Sequence, residues 1–107
     1  MQKNKPNLDQ VDLMCGNNLV YRNRLLNVIK RELPLEAANY KKNLISGNFM
    51  ECSENVHKLR HKISILGLED AYYFALTYEE DLRIFNISKS DVFEIILNDM
   101  LSFTKQF

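Results

Sequence analysis

The sequence predicts an all-α fold, an antiparallel four-helix bundle with an additional short N-terminal helix. Glycine and proline are scarce, with 3 and 2 residues among 107, and they separate segments whose apolar residues recur at helical intervals. Strict apolar–polar alternation, which a half-buried strand would show, is almost absent. The composition, 46% hydrophobic and 26% charged, suits one compact domain over residues 8–107 after a flexible N-terminus at 1–7.

Glycine and proline also set the expected element boundaries. The predicted helical segments are, in order, 8–14, about 18–32, 34–46, about 48–67, about 69–85, and a last helix N-capped by Ser88 or Ser90. Gly16, Gly47 and Gly67 each follow a segment, and glycine readily adopts the left-handed conformation that ends a helix. Pro34 is expected to break or kink the chain there, because proline suits the first turn of a helix better than its interior.

Helical spacing predicts which apolar residues face the core. In the segment 48–67 the buried stripe is Cys52, Val56, Leu59, Ile63 and Leu66. In the segment 18–32 it includes Leu25, Leu26 and Ile29. In the last two segments it is Ala71, Phe74, Tyr78, Leu82 and Phe85, followed by Val92, Ile96, Met100, Phe103 and Phe107. One bundle would consume these stripes, so we expect a monomer.

Charge and cysteine content narrow the function classes. Lys plus Arg and Asp plus Glu both number 14, so no overall attraction to nucleic acid or anionic lipid is expected, and the aromatic residues of 69–85 lie at core spacing rather than among basic residues. The start MQKNKPNLDQ is polar, and no apolar run approaches the roughly 18 residues of a membrane span. Cys15 and Cys52 form no CxxC pair, which favours two reduced thiols, with a single disulfide still open. We expect a soluble, cytoplasmic protein.

The segment VHKLRHKISILG, residues 56–67, contains both histidines of the chain. Opposite its apolar stripe, the outer face carries His57, Arg60, His61 and Ser64. A solvated imidazole is a good nucleophile near neutral pH, because its ordinary pKa of about 6.5 leaves one ring nitrogen free. Arg60, flanked by Lys58 and Lys62, fits the role of a cation that stabilises phosphoryl oxygens.

This segment resembles the motif of histidine-containing phosphotransfer domains, the HPt modules of phosphorelays in two-component regulatory systems. The motif is His, any residue, Leu, then Lys or Arg, usually Gly, small residues, and a second Gly ten positions after the His. The matching residues are His57, Leu59, Arg60, Ser64 and Gly67. Upstream, ELPLEAANYKKNLISGNF matches the family's proline-started helix and following turn, so the resemblance covers roughly 17–82. His61 departs from the pattern, because the family usually has Gly there.

The resemblance implies a signal-transduction phosphoprotein in which His57 accepts a phosphoryl group from a receiver-domain aspartate and passes it to another receiver. Its expected partners are response-regulator receiver domains and a hybrid sensor histidine kinase. Arg60 would stabilise the phosphoryl group, with His61 and Ser64 on the same face. Glu79, on the following helix, falls near where some family members place a polar residue beside the histidine.

The same resemblance places Mg²⁺ on the receiver, so this chain is expected to need no cofactor. Nothing in the chain resembles an ATP-binding domain, which favours a phosphocarrier over a kinase.

Two alternatives remain open. An HPt-like helical module could bind a receiver, or another helical partner, without accepting phosphate. His57 and His61 are also one helical turn apart with Glu54 three residues before His57, which resembles metal-ligand spacing. A di-iron site would need a third histidine, which the chain lacks, and a zinc site would need Cys52 or distant carboxylates.

Overall fold

The computed structural model describes residues 5–107, and every regular element in that range is an α-helix. The helices are α1 Asp9–Cys15, α2 Leu19–Ile45, α3 Phe49–Ile65, α4 Glu69–Arg83 and α5 Ser90–Thr104. The all-α class is therefore confirmed. The predicted flexible segment 1–7 falls mainly on residues 1–4, which lie outside the described residues. None of the helices just named is long and apolar enough to cross a membrane.

Helix α2 runs unbroken through Pro34, so the predicted division into two helices was wrong. The ring of Pro34 is exposed, while Leu33 and Ala37 on the other side of the helix are buried. The backbone hydrogen bond that proline cannot donate is thus missing on the solvent side, where water can satisfy the freed carbonyl. At 27 residues, α2 spans about 40 Å at the usual helical rise, and α1 packs against its N-terminal part.

Helices α2, α3 and α4 end with the same pattern, in which two N–H groups that follow the helix donate to carbonyls of its last turns. At the end of α3, Leu68 N donates to Ile63 O and Gly67 N donates to Ser64 O, with Gly67 in the left-handed region at φ 77°. A Cβ on Gly67 would lie 2.6 Å from the side chain of Asn7. The backbone N–H of Asn7 donates to Leu66 O and holds it there. Gly67 therefore ends α3 and also leaves room for the chain that leads into α1.

At the end of α4 the left-handed position is occupied by Phe85, at φ 61°. Among the described residues it is the only one other than glycine with positive φ. Phe85 lies beyond the last helical residue, Arg83, and is 66% exposed, so its predicted place in the core was wrong. Helical spacing cannot be extended past the turn that ends the helix, because the chain reverses there.

Helix α3 packs against both α2 and α4, and α5 contacts α2 and α4. The four longer helices share one apolar core, to which α3 contributes its whole predicted stripe: Cys52, Val56, Leu59, Ile63 and Leu66. Helix α1 packs on α2 in a smaller cluster made of Val11, Cys15 and Leu26. The stripe predicted for α3 is confirmed in full.

The predicted buried stripe of α5 is confirmed at Met100, which is fully buried, but it is displaced in the first half of the helix. Phe93 and Leu97 are fully buried, whereas Val92 is 48% exposed. Because α5 is apolar on most sides, periodicity alone does not distinguish neighbouring phases of its core stripe. The start of α5 also differs, since Lys89 occupies the N-cap and no side chain caps the helix there.

The core contains a buried polar pair, Tyr40 and Tyr78, whose hydroxyl oxygens lie 2.5 Å apart. Burial raises the pKa of Tyr78 to about 12 and raises that of Tyr40 as well. Cys52 lies beside them, and burial raises the pKa of its thiol to about 12. Cys15 and Cys52 are both buried free thiols, in agreement with the reduced state predicted from the sequence.

Candidate functional site

The outer face of α3 places three of its four predicted site residues in solvent. His57, His61 and Ser64 are exposed, and the His57 side chain is 53% accessible. Arg60 lies on the same side, but its side chain is only 13% accessible because it leans towards α4. The apolar stripe on the opposite side of α3 fixes the rotation of the helix and thereby the outward direction of His57.

Glu79 of α4 is the residue that joins this face to the neighbouring helix. Its side chain is 10% accessible, and its carboxylate accepts a hydrogen bond from Arg60 Nε at 2.9 Å. Both of its oxygens lie 3.3 Å from Nδ1 of His57. The structure thus brings the sequence-predicted residues Glu79, Arg60 and His57 into one cluster.

Tyr72, two turns before Glu79 on the same face of α4, contacts the guanidinium of Arg60. Its hydroxyl accepts a hydrogen bond from Arg60 Nη1 at 3.3 Å. The Arg60 guanidinium lies over the Tyr72 ring, with Cζ 5.3 Å from the ring centroid. The sequence reasoning missed Tyr72. The available signal was spacing, because residues seven apart lie on the same helical face and Tyr72 precedes Glu79 by that interval.

The ring of His57 receives a further contact from Arg60, whose Nη2 lies 2.9 Å from Nδ1. A guanidinium nitrogen can only donate, so in this arrangement Nδ1 accepts and the proton of the neutral ring is on Nε2. Nδ1 cannot at the same time donate to Glu79. If Arg60 Nη2 moves off the ring, Nδ1 is free to carry the proton and donate it to the Glu79 carboxylate, which leaves a lone pair on Nε2.

One turn before His57 on α3, a second set of hydrogen bonds joins α3 to α4. Buried Ser53 donates from Oγ to the backbone carbonyl of Glu79 at 2.9 Å. Arg83 Nε donates to the same Ser53 Oγ at 3.3 Å. These bonds fix the backbone of Glu79 relative to α3, so the position of its carboxylate beside His57 is set by the scaffold as well as by Arg60.

Lys58 and Lys62 each lie two residues from Arg60, so neither shares its side of α3. Lys58 is exposed, but Lys62 is buried on another side of α3, where its Nζ lies 3.0 Å from Glu32 and 3.1 Å from Glu36 of α2. The prediction that Lys58 and Lys62 flank Arg60 was wrong, because residues two apart on a helix point in directions about 200° apart.

His61 is the immediate neighbour of His57 on the outer face. Their rings meet edge to face with centroids 5.5 Å apart. Over the part of the chain that the structure describes, no group of three or more His, Cys, Asp or Glu residues is arranged to hold a metal ion. Cys52, considered as a zinc ligand, is fully buried with its Sγ near the Tyr40 carbonyl, so it does not reach the two histidines.

No protein-family model, curated protein or solved structure matches this chain. Its function is therefore inferred from the geometry of the α3–α4 cluster and from the motif resemblance.

Proposed function

We propose that the protein is a histidine phosphotransfer module of a two-component phosphorelay, built as an antiparallel bundle of its four longer helices. His57 accepts a phosphoryl group from the aspartate of one receiver domain and passes it to another. The observation that carries the proposal is an exposed imidazole whose inner nitrogen, Nδ1, is held between Glu79 and Arg60 while the rest of the ring faces solvent.

The transfer exchanges one bond for another. The P–O bond to the receiver aspartate breaks as a bond forms between phosphorus and Nε2 of His57. Nε2 needs its lone pair for this attack, so the ring proton must be on Nδ1, where the Glu79 carboxylate at 3.3 Å accepts it. The ring becomes positively charged as the phosphoryl group attaches, and Glu79 stabilises that charge. Attack from this tautomer releases no proton, because the Nδ1 proton stays on the ring.

Arg60 has two roles in this scheme. In the structure its Nη2 donates to Nδ1 of His57, which keeps the proton on Nε2 and the ring unreactive. As a phosphoryl group approaches, Nη2 turns from the ring to a phosphoryl oxygen, because a charge-assisted hydrogen bond to an anion is stronger than one to a neutral nitrogen. His57 then changes tautomer: Nε2 gives its proton to water, and Nδ1 takes one from water and donates it to Glu79. Nε2 thereby gains the lone pair with which it attacks phosphorus. Arg60 Nε remains on Glu79 throughout, so the guanidinium needs only a small rotation.

The receiver would dock on the outer face of α3 and adjoining parts of α4, in a small and transient interface. These two helices expose apolar side chains that such an interface could cover: Met50, two turns before His57 on the same face of α3, and Tyr73 on α4. The partners are response-regulator receiver domains and a hybrid sensor histidine kinase, and Mg²⁺ belongs to the receiver. A monomeric, cytoplasmic phosphocarrier without its own kinase domain fits this role.

The decisive experiment mixes the protein with a receiver domain phosphorylated by a small phosphodonor. We expect phosphate that is acid-labile and alkali-stable to appear on the protein, as a phosphohistidine requires. His57→Gln should abolish the signal, because the amide has no nucleophilic lone pair. His61→Gln is the matched control on the same face of the same helix, and it should retain much of the labelling.

Labelling of His57→Gln at the level of the original protein would refute the assignment of His57. Binding of the receiver without any labelling of the original protein would favour the alternative, an HPt-like module that binds and does not carry phosphate.

A further inference from the structure

We propose that His57 and His61 form an open two-histidine chelate for a divalent transition-metal cation such as Zn²⁺, Ni²⁺ or Cu²⁺, and that the bound cation blocks phosphoryl acceptance. The chelate itself depends only on the geometry of α3. The blocking effect rests on the proposed function.

The spacing of the rings suits one shared cation. A ring bound through nitrogen has its centroid roughly 3.2 Å from a metal at the usual metal–nitrogen distance of about 2.0–2.1 Å, so two rings on one cation have centroids roughly 4.5–5.3 Å apart. The centroids of His57 and His61 are 5.5 Å apart. Both side chains are exposed, so a small rotamer adjustment closes the difference without disturbing the core.

Glu79 supplies what a metal-binding histidine usually has behind it. A ligating imidazole generally donates its other ring N–H to a carboxylate or carbonyl, which fixes the tautomer and raises the basicity of the ligating nitrogen. The Glu79 carboxylate lies 3.3 Å from Nδ1 of His57 on the inner side of the ring. When Arg60 Nη2 moves off Nδ1 and the ring proton is on Nδ1, Glu79 accepts it and Nε2 is free for a cation. The same Glu79–His57 pair therefore supports either a cation or a phosphoryl group on Nε2.

The site is open rather than a structural cage. Within residues 5–107 no third His, Cys, Asp or Glu joins the pair in a metal-holding group, so water completes the coordination. An open site of two imidazoles exchanges its cation readily, and it favours borderline transition metals over Mg²⁺, which prefers oxygen ligands. Such a cation would act as a reversible inhibitor and would not be needed for folding.

The two occupants of His57 exclude each other. A cation on Nε2 uses the lone pair that attacks phosphorus, and a phosphoryl group on Nε2 removes that lone pair from the cation. His61 would then be the residue that makes the acceptor sensitive to metal, at a position where a glycine would leave only a single imidazole.

Calorimetric titration of the purified, metal-free protein with ZnCl₂ or NiCl₂ tests the chelate without any phosphotransfer. We expect one cation per chain, tighter binding of Ni²⁺ and Cu²⁺ than of Mn²⁺, and no competition from Mg²⁺. Linking two ligands raises avidity by about 10²–10⁴, so His61→Gln should weaken binding at least about tenfold. Glu51→Gln, an exposed change on α3 nearly two turns before His57, is the matched control and should bind as the original protein does.

Equal affinity of His61→Gln and the original protein would overturn the chelate, as would the absence of binding at millimolar cation. The blocking effect is tested by the rate of labelling with and without ZnCl₂, expressed for each variant as a ratio to its own metal-free rate. The ratio should fall much further for the original protein than for His61→Gln, because any effect of zinc on the receiver is common to both and cancels in the comparison. A ratio that falls equally in both would refute the blocking role. If the metal-free protein is never labelled, the proposed function fails while the chelate is still judged by the titration.

Discussion

Two basic side chains of α3, Arg60 and Lys62, lie two residues apart and have almost equal accessibility, 13% and 10%. Each is paired with carboxylates of a neighbouring helix, Arg60 with Glu79 of α4 and Lys62 with Glu32 and Glu36 of α2. They differ in what else they touch, because Arg60 also contacts an exposed imidazole and Lys62 does not. A covered ion pair therefore does not by itself mark a functional site, and the group that it positions is the distinguishing feature.

An ion pair between two helices can join them and can also position a third group. On the Lys62 side, the pair joins α3 to α2 and leaves Oε1 of Glu36 buried without a hydrogen-bond partner. On the Arg60 side, the pair joins α3 to α4 and also sets the proton position of a ring in solvent. Variants of the two cations should therefore separate stability from transfer.

The largest effect is expected for Arg60→Ala. It removes the guanidinium that would stabilise the phosphoryl oxygens, and loss of one such donor typically slows a reaction by about 10²-fold or more. It also leaves the largely covered Glu79 carboxylate without its strongest partner, which we expect to lower the free energy of unfolding by roughly 1–3 kcal/mol. Single-turnover labelling from a phosphorylated receiver and urea unfolding measure the two effects.

A control for Arg60→Ala is Arg60→Lys, which keeps one positive charge but cannot hold Glu79 and a phosphoryl oxygen with separate nitrogens in a fixed plane. Its labelling rate should fall between those of Arg60→Ala and the original protein. Transfer at the original rate in Arg60→Ala would contradict a role for the guanidinium.

A smaller effect, confined to stability, is expected for Lys62→Met. Methionine fills similar space, but Glu36 loses its cation and Glu32, which is 44% accessible, is left to water. We expect the free energy of unfolding to fall by about 1 kcal/mol, because the partners are partly solvated and much of the charge interaction is already screened. Labelling per folded molecule should be unchanged, and a loss of labelling comparable to that of Arg60→Ala would erase the contrast between the two sides of α3.

The buried pair of Tyr40 and Tyr78 contrasts with both ion pairs. Neither tyrosine carries a charge at neutral pH, so the pair should make no pH-dependent contribution to stability at that pH. The pKa of Tyr78 is raised from 10 to about 12, and that of Cys52 from 9 to about 12. A raised pKa means that the folded state binds protons that the unfolded state has already released. The stabilisation is therefore complete below pH 9 and is lost progressively between pH 9 and about 12.

Urea unfolding at a series of alkaline pH values measures this loss, and tyrosinate absorbance shows when each phenol ionises. In the folded protein, Tyr40 and Tyr78 should ionise only well above pH 10. Ionisation of these two tyrosines near pH 10 in the folded state would contradict the buried pair.

Part of the site could be predicted from residue spacing alone. The apolar positions of α3 predict its buried stripe, and the opposite face then contains His57, His61 and Ser64, all of which are exposed. The stripe of α5 was predicted correctly at Met100, but in the first half of the helix Phe93 and Leu97 are buried in place of Val92 and Ile96, because nearly every side of that helix is apolar. Pro34 was read as a break because its exposure could not be known from the sequence.

The amino-acid sequence by itself determined the helical class, the inward face of α3 and the outward position of its two histidines, because these follow from local periodicity along one helix. The tertiary structure alone decided that Arg60 leans onto Glu79 and Tyr72 of α4 while Lys62 crosses to Glu32 and Glu36 of α2. The partners of those cations lie 12 to 30 residues away along the chain. Which distant carboxylate meets which cation depends on how the helices pack against each other, and the spacing within one helix does not contain that information.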